Sequence, residues 1–238
     1  MERKPPLLLF CFIAAIAWAH SSDARELTFT TFRNAPIQKL SAQIISEAYA
    51  TLDIKVSIKE LPGLRALVVA NSGETDGEIS RIGGIEKKFT NLIAIPTPVN
   101  HIEIVVFSEN SALKIENWHN LQGLKVGIVS GSVFTETLDQ GLNTLRINNY
   151  KQLFTILKRG RVDVAVSPYI NGLSMLKTNP HWTILPVSPS LQNEDLYHYI
   201  HKRHRHLIPK LNQIFQEMHS SGRIKHLRNQ FLEELVKN

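Results

Sequence analysis

The apolar positions of the chain switch between two periods, and the switches outline its elements. "ELTFTTF" (26–32) alternates and is rich in Thr and Phe, which predicts a strand. From Pro36 the apolar residues Ile37, Leu40, Ile44, Ile45, Ala48, Tyr49 and Leu52 follow the 3.6-residue repeat of an amphipathic helix, with proline suited to its first turn. "DIKVSIKE" (53–60) alternates again as a second strand, and a short helix follows over 63–72 with Gly73 as its stop. "DGEISRI" (76–82), "NLIAIP" and "HIEIVVFS" (101–108) are three further strands. Strands alternating with helices predict an α/β unit with a mostly parallel sheet.

After residue 110 the same grammar restarts. "LKVGIVS" (124–130) is a strand, "GSVFTETLDQG" a turn into a helix, and "NYKQLFTILKRG" a helix ending at Gly160. "RVDVAVS" (161–167) is a strand, "PYINGLSMLKTN" a helix and "WTILPV" (182–187) a strand. The chain then returns through a strand-like "LYHYIHK" (196–202) to two helices, 207–219 and 222–236, separated by Gly222. Their inner faces are marked by Leu211, Ile214, Phe215 and Met218, then by Leu227, Phe231 and Leu235.

Composition changes this picture mainly at the amino terminus. The 238 residues are 43% hydrophobic and 20% charged, ordinary for a globular chain with one large core or two small ones. Residues 1–24 differ: Glu2, Arg3 and Lys4 precede the apolar run "PLLLFCFIAAIAW", and small residues follow. This is the pattern of a secretory signal peptide, with exits after Ala19 or Ala24. Cleavage after Ala24 fits the strand that starts next. The single cysteine, Cys11, lies inside the run behind Phe10, a poor setting for lipidation. The exported chain then has no cysteine, which excludes a disulfide scaffold, a thiol nucleophile and a cysteine metal site. Cleavage removes Arg3 and Lys4 together with Glu2 and Asp23, so the formal charge stays at +6. Such a surface suits anionic solutes or acidic membrane surfaces, or is simply a solvated face. Export argues against a nucleic-acid partner.

The signal peptide, the repeated α/β grammar, "LKVGIVSGS" and "KRGRVDVAVSPY" together resemble the periplasmic solute-binding proteins of the polar amino acid ABC-importer type, as a divergent member. "NSGETDGEISR" is similar to that family's Gly-x-x-Asp-Gly/Ala step, and Trp118, Leu121, Gly123, Val126 and Gly127 to its entry into lobe 2. The resemblance implies a two-lobed clamshell with mixed, mostly parallel sheets and two interlobe crossings, near Phe107–Asn110 and Pro186–Pro189. Lobe 1 would comprise 25–107 and 189–238, and lobe 2 108–188. Ligand would lie between the lobes, at the carboxyl ends of the strands, and closure would be a hinge motion. The implied setting is a periplasmic monomer that needs no cofactor and meets a small solute and a membrane permease or sensor protein.

Several residues are candidates for contact with that solute. Spacing in the stretch 72–83 invites a calcium reading. With Gly77 at the sixth position, Ser72, Glu74 and Asp76 take the first, third and fifth, but the twelfth is Gly83, which cannot close the site. A helix-to-strand turn explains it better: Gly73 caps the helix, Asp76 stabilises the turn and Gly77 allows tight packing. Arg81 is different, because a charge near the end of a strand covered on both faces must reach solvent, a partner or the cleft. A guanidinium grips a carboxylate at two points, and receptors of this family use an arginine in that way. Their arginine lies further along, near Lys87 or Lys88 here, so its role is carried to Arg81 against the pattern. The plainer alternative is a rim salt bridge from Arg81 to Glu78 or Glu86.

Arg65 stands in the first turn of the helix 63–72, where free N–H groups would add to an anion site. Gly131 and Ser132 precede a second helix with Thr135 on its first turn, the family's cradle for a carboxylate. Phe32, Arg33 and Tyr169 are placed to line the cleft. The family's ammonium-binding Asp would fall at Pro168 and is missing, as is its early aromatic segment, replaced by "FRNAPI". Without that carboxylate a buried ammonium is costly, so the expected solute is small, polar and anionic. The cluster His198, His201, His204 and His206 reads as a solvated basic surface, its spacing unlike a metal site.

Two other functions compete. Relatives of this fold include dehydratases of cyclic carboxylic acids, and Glu78 or Glu103 would be the acid or base if a shifted pKa allowed it. The third reading is a sensor subunit presenting its ligand state to a membrane signalling protein.

Overall fold

In the computed structural model, residues 25–130 and 141–237 are described. The predicted leader, and the turn with Gly131, Ser132 and Thr135, lie outside them. The first unit runs β1 (Arg25–Phe32), α1 (Pro36–Ala50), β2 (Ile54–Leu61), α2 (Gly63–Ser72) and β3 (Gly77–Ile82). A 3-10 turn, Ile85–Lys87, leads to the short β4 (Leu92–Ala94) and the long β5 (Asn100–Ser108). Next come β6 (Lys125–Val129), β7 (Asn143–Ile147), α3 (Tyr150–Lys158), β8 (Val164–Pro168), α4 (Tyr169–Thr178) and β9 (Leu185–Pro186). The chain closes with β10 (Gln192–His201), α5 (Ile208–Ser220) and α6 (Arg223–Val236).

The strands form a sheet in the order β2-β1-β3-β10-β5-β8-β6-β7, with β4 beside β10 and β9 beside β5. Its two ends are parallel: β1 pairs with β2 and β3, and β6 with β7 and β8. Its middle is antiparallel. β10 pairs with β3, β4 and the first half of β5, whose second half pairs with β8. β5 and β10 therefore carry the sheet from one parallel group to the other. The two parallel groups are the α/β units anticipated from the restarted pattern.

Periodicity located nearly every element, and the exceptions have physical causes. β7 was not anticipated: it is an edge strand with one neighbour, mostly exposed, so little apolar alternation marks it. "WTILPV" shortens to Leu185–Pro186, because only Phe107 and Ser108 at the end of β5 are available to pair with it. The last strand begins earlier than expected, at Gln192, since Gln192–Leu196 zip onto β5.

Helices α1 and α2 cover the β1–β3 group. Leu40, Ile44, Ile45 and Tyr49 of α1 are fully buried with Phe29 and Ile79 in the main core. Leu67 and Ala70 of α2 belong to a separate cluster with Ile85, Phe89, Leu92 and Tyr199. The step between α2 and β3 follows the sequence reading. Gly73 is left-handed (φ 81°) and ends the helix, its N–H bonded to the Ala70 carbonyl. At Gly77 a Cβ would stand 2.2 Å from the Tyr199 carbonyl oxygen, so β10 can pass only over glycine. Asp76 does more than shape the turn. It accepts from the Thr28 N–H at 2.7 Å and from Arg203 and His204 at 2.6 Å each, tying β1 to the turn after β10. Its ligand atoms are thus engaged with protein donors.

Among the described residues no helix is long and apolar enough to cross a membrane.

Candidate functional site

The carboxyl ends of β1, β2 and β3 converge on the first turn of α2. β1 and β2 run in register until Phe32 lies beside Leu61, whose carbonyl accepts from the Arg33 N–H at 3.0 Å. Two residues later α2 begins at Gly63. Arg81 reaches this place from β3: its Nη2 donates to the Gly63 carbonyl at 3.0 Å, and its guanidinium carbon stands 5.8 Å from the Phe32 ring centre. Its Nε donates to Glu78 at 2.8 Å, in an ion pair whose side chains are 8% and 0% exposed.

A backbone irregularity makes that pair possible. On an even strand, residues three apart face opposite sides. Opposite β10, however, Tyr199 pairs with Glu78 and Tyr197 with Arg81, so β3 holds one extra residue between the two. This bulge turns Arg81 onto the face of Glu78 and α2. Ser80 is left on the other face, where it bonds Gln38 of α1 at 2.9 Å. The salt bridge anticipated at a rim is therefore internal. Thr30 completes the cluster, its hydroxyl in contact with the second Glu78 oxygen and within 3.1 Å of the Ala66 and Gly77 carbonyls. Burial pushes the Glu78 carboxyl above its usual range, and Arg81 and Thr30 oppose the rise without cancelling it. Arg81 uses two of its five N–H groups on the protein contacts described.

The other candidates are distributed around this point. Arg33 and Arg65 are exposed, one at the end of β1 and one in the first turn of α2. Tyr169 stands elsewhere. With Glu103, Val105, Pro186, Ser188 and Ser190 it lines a separate cavity of about 280 Å³. A second hollow, about 560 Å³, lies at the end of β7 and the start of α3 between Arg146, Lys151 and Arg159. The structure thus gathers Phe32, Arg33, Arg65 and Arg81 and leaves Tyr169 apart.

Two features escaped the sequence reading. Asn171, fully buried at the start of α4, accepts from the Ile37 N–H at 3.0 Å and so joins the first turns of α1 and α4. Its own N–H₂ has no partner. Glu103, the other carboxylate considered for acid-base work, is held by Arg228 of α6 at 2.6 Å. Nothing in local periodicity signals either contact.

The histidines require a correction. His198 is fully buried, its Nδ1 at 3.0 Å from the Glu78 and Ile79 carbonyls and its Nε2 at 3.0 Å from the Tyr49 hydroxyl. Burial lowers its pKa from 6.5 to about 4, so it is neutral. His201 and His204 are buried too, and only His206 of the four is exposed. Pairing of β10 on both edges buries His198 and His201, and His204 in the following turn is held against Asp76, so what looked like a basic surface is mostly internal. Among the described residues no group of three or more His, Asp or Glu converges as a metal site would require.

No family model matches the sequence. A protein of Shewanella oneidensis described only as uncharacterized is 27% identical over 94% of this chain and 91% of its own length. Solved structures are closer in shape than in sequence. An amino acid ABC transporter substrate-binding protein, AbpA from Streptococcus pneumoniae, bound to L-arginine, superposes with a TM-score of 0.73 at 17% identity, over 90% of this chain and 97% of that one. ArgBP from T. maritima, as a P235GK mutant, gives 0.72 at 17% identity, over 87% and 95%. A histidine kinase sensor domain with similarity to periplasmic binding proteins gives 0.75 at 15%, over 87% and 96%. The fold assembled by β1–β10 is accordingly that of the periplasmic binding proteins, and its structural neighbours are amino acid ABC transporter substrate-binding proteins.

Proposed function

We propose that this chain is a non-catalytic periplasmic receptor that closes two lobes, 25–107 with 189–238 and 108–188, on a small anionic solute. The observation that carries the reading is Arg81, held between Glu78 and the first turn of α2 with N–H groups to spare. Arg33 at the end of β1 and Arg65 in the first turn of α2 add positive charge, and the helix start adds free N–H groups. The two carboxylates that an enzymatic reading would use, Glu78 and Glu103, are both engaged by arginines, which favours binding over catalysis. Delivery to an ABC permease is supported by the likeness to AbpA, an amino acid ABC transporter substrate-binding protein. A second output, signalling through a membrane partner, is favoured by the likeness to the kinase sensor domain.

A thermal-shift screen of small carboxylates, sulfonates and amino acids tests the reading. A ligand present at 100 times its Kd should add about 2.7 kcal/mol. Anions should shift the protein and their neutral amides should not. Arg81→Ala combined with Glu78→Gln removes the guanidinium without stranding a buried charge, and should abolish the shift. An unchanged shift would take Arg81 out of the site, and turnover of a hit would overturn the receptor reading.

A further inference from the structure

Arg81 is already neutralised before any ligand arrives. Glu78 has no exposed surface, sits 2.8 Å from Nε and is sealed by Thr30, so it can neither swing into solvent nor be hydrated in place. A second anion on the remaining N–H groups would put two negative charges on one guanidinium inside a weakly screened site, an arrangement that buried pairs of carboxylates escape by taking a proton. We propose that anion capture at Arg81 is coupled to uptake of one proton by Glu78, so that the protein binds an anion and a proton together. This deepens the anion-receptor reading above and rests on it.

The groups around Glu78 leave it as the acceptor. From β10, Tyr199 lies opposite it and Tyr197 opposite Arg81, while both nitrogens of His198 are engaged by the Tyr49 hydroxyl and by backbone carbonyls of β3. From β1 the facing group is the Thr30 hydroxyl. From α2 they are the Gly63 and Ala66 carbonyls, with Arg65 exposed nearby. Glu86, beyond β3, is bonded to the Tyr199 hydroxyl, and Asp76, two residues before Glu78, to Arg203 and His204. Glu78 is the carboxylate that shares Arg81, and its burial already disfavours the charged form. Its protonation keeps the contact between Glu78 Oε2 and the Thr30 hydroxyl as a neutral hydrogen bond.

Methanesulfonate is the probe, because it stays charged across the relevant pH range; methanesulfonamide is its neutral counterpart. The Glu78 carboxyl carbon and the Arg81 Nε are followed by NMR through a pH titration of the protein. With methanesulfonate the Glu78 midpoint should rise, and affinity should improve about tenfold for each pH unit lowered between the two midpoints. Methanesulfonamide should do neither. In Glu78→Gln, affinity should lose its pH dependence; should that variant not fold, the NMR titration of the unaltered protein decides alone. If the Arg81 resonance responds to methanesulfonate while the Glu78 midpoint stays put, proton coupling is overturned and the anion site stands. If Arg81 does not respond at any pH, the anion site itself falls.

Discussion

Replacing Arg81 by alanine alone would strand the Glu78 charge among Thr30, Gly63 and the β3 backbone. Breaking a buried pair from one side costs about 3–5 kcal/mol. Urea unfolding should show a loss of that order for Arg81→Ala, and adding Glu78→Gln should recover much of it. His198 offers a second test. In the folded chain it titrates near 4, in the unfolded chain near 6.5, so between those values the unfolded state binds more protons. Stability is therefore complete above about pH 6.5 and declines as pH falls towards 4, by up to about 3 kcal/mol. Glu78 works with the opposite sign, since its raised pKa favours the folded state as pH falls. Comparing the urea midpoint against pH for the natural chain and for His198→Phe separates the two. The decline between 6.5 and 4 should shrink in the variant, leaving the part that comes from His101 and His201, whose pKa values burial also lowers.

At the scale of elements, two contacts hold the frame around the site. β10 crosses β3 so closely at Gly77 that a methyl group there would meet the Tyr199 carbonyl oxygen at 2.2 Å and the Ile200 Cα at 2.8 Å. Gly77→Ala should therefore destabilise by at least about 1–3 kcal/mol, read as a lower denaturation midpoint with an unchanged slope. On the other side Arg228 fastens α6 to β5. It donates to the Asn100 side chain at 3.0 Å, to the His101 carbonyl at 3.1 Å and to Glu103 at 2.6 Å. Arg228→Ala removes these three hydrogen bonds and with them the tie between α6 and β5. Hydrogen exchange should then accelerate in 223–236 while β1 and β3 keep their protection, because α6 packs on α1, α4 and α5 rather than on those strands. Uniform acceleration throughout would show that α6 is part of the central cooperative unit.

At the scale of the whole molecule, β5 and β10 join the two parallel groups, and Asn171 joins the starts of α1 and α4 across them. If the two units close on a solute as proposed, the radius of gyration from solution scattering should fall when a thermal-shift hit is added. The Arg81→Ala, Glu78→Gln double variant should show no such change. The Asn171 amide at that junction has a buried N–H₂ without a partner, which costs free energy.

Much of this protein is written in its local pattern. The periods of the apolar residues and the stops at Gly73 and Gly160 located the helices and most strands, since burying one face of an element imposes a repeat that survives in any context. The acidic spacing of 72–76 could also be judged from sequence, because a calcium loop fails when its twelfth position is glycine. Site geometry was not legible in the same way. By strand parity Arg81 and Glu78 face apart, and only the bulge opposite Tyr197–Tyr199 turns them together. His198 looks like part of a basic surface until β10 is paired on both edges and its ring is sealed by Phe29, Tyr49 and Phe215. Tyr169 is aromatic and near a strand end, yet packing sends it to the cavity beside Glu103. The sequence by itself determined the elements and the positive charge near their ends, because both are properties of neighbouring residues. The tertiary structure decided which charges meet, because pairing between distant strands sets the faces and the burial on which those meetings depend.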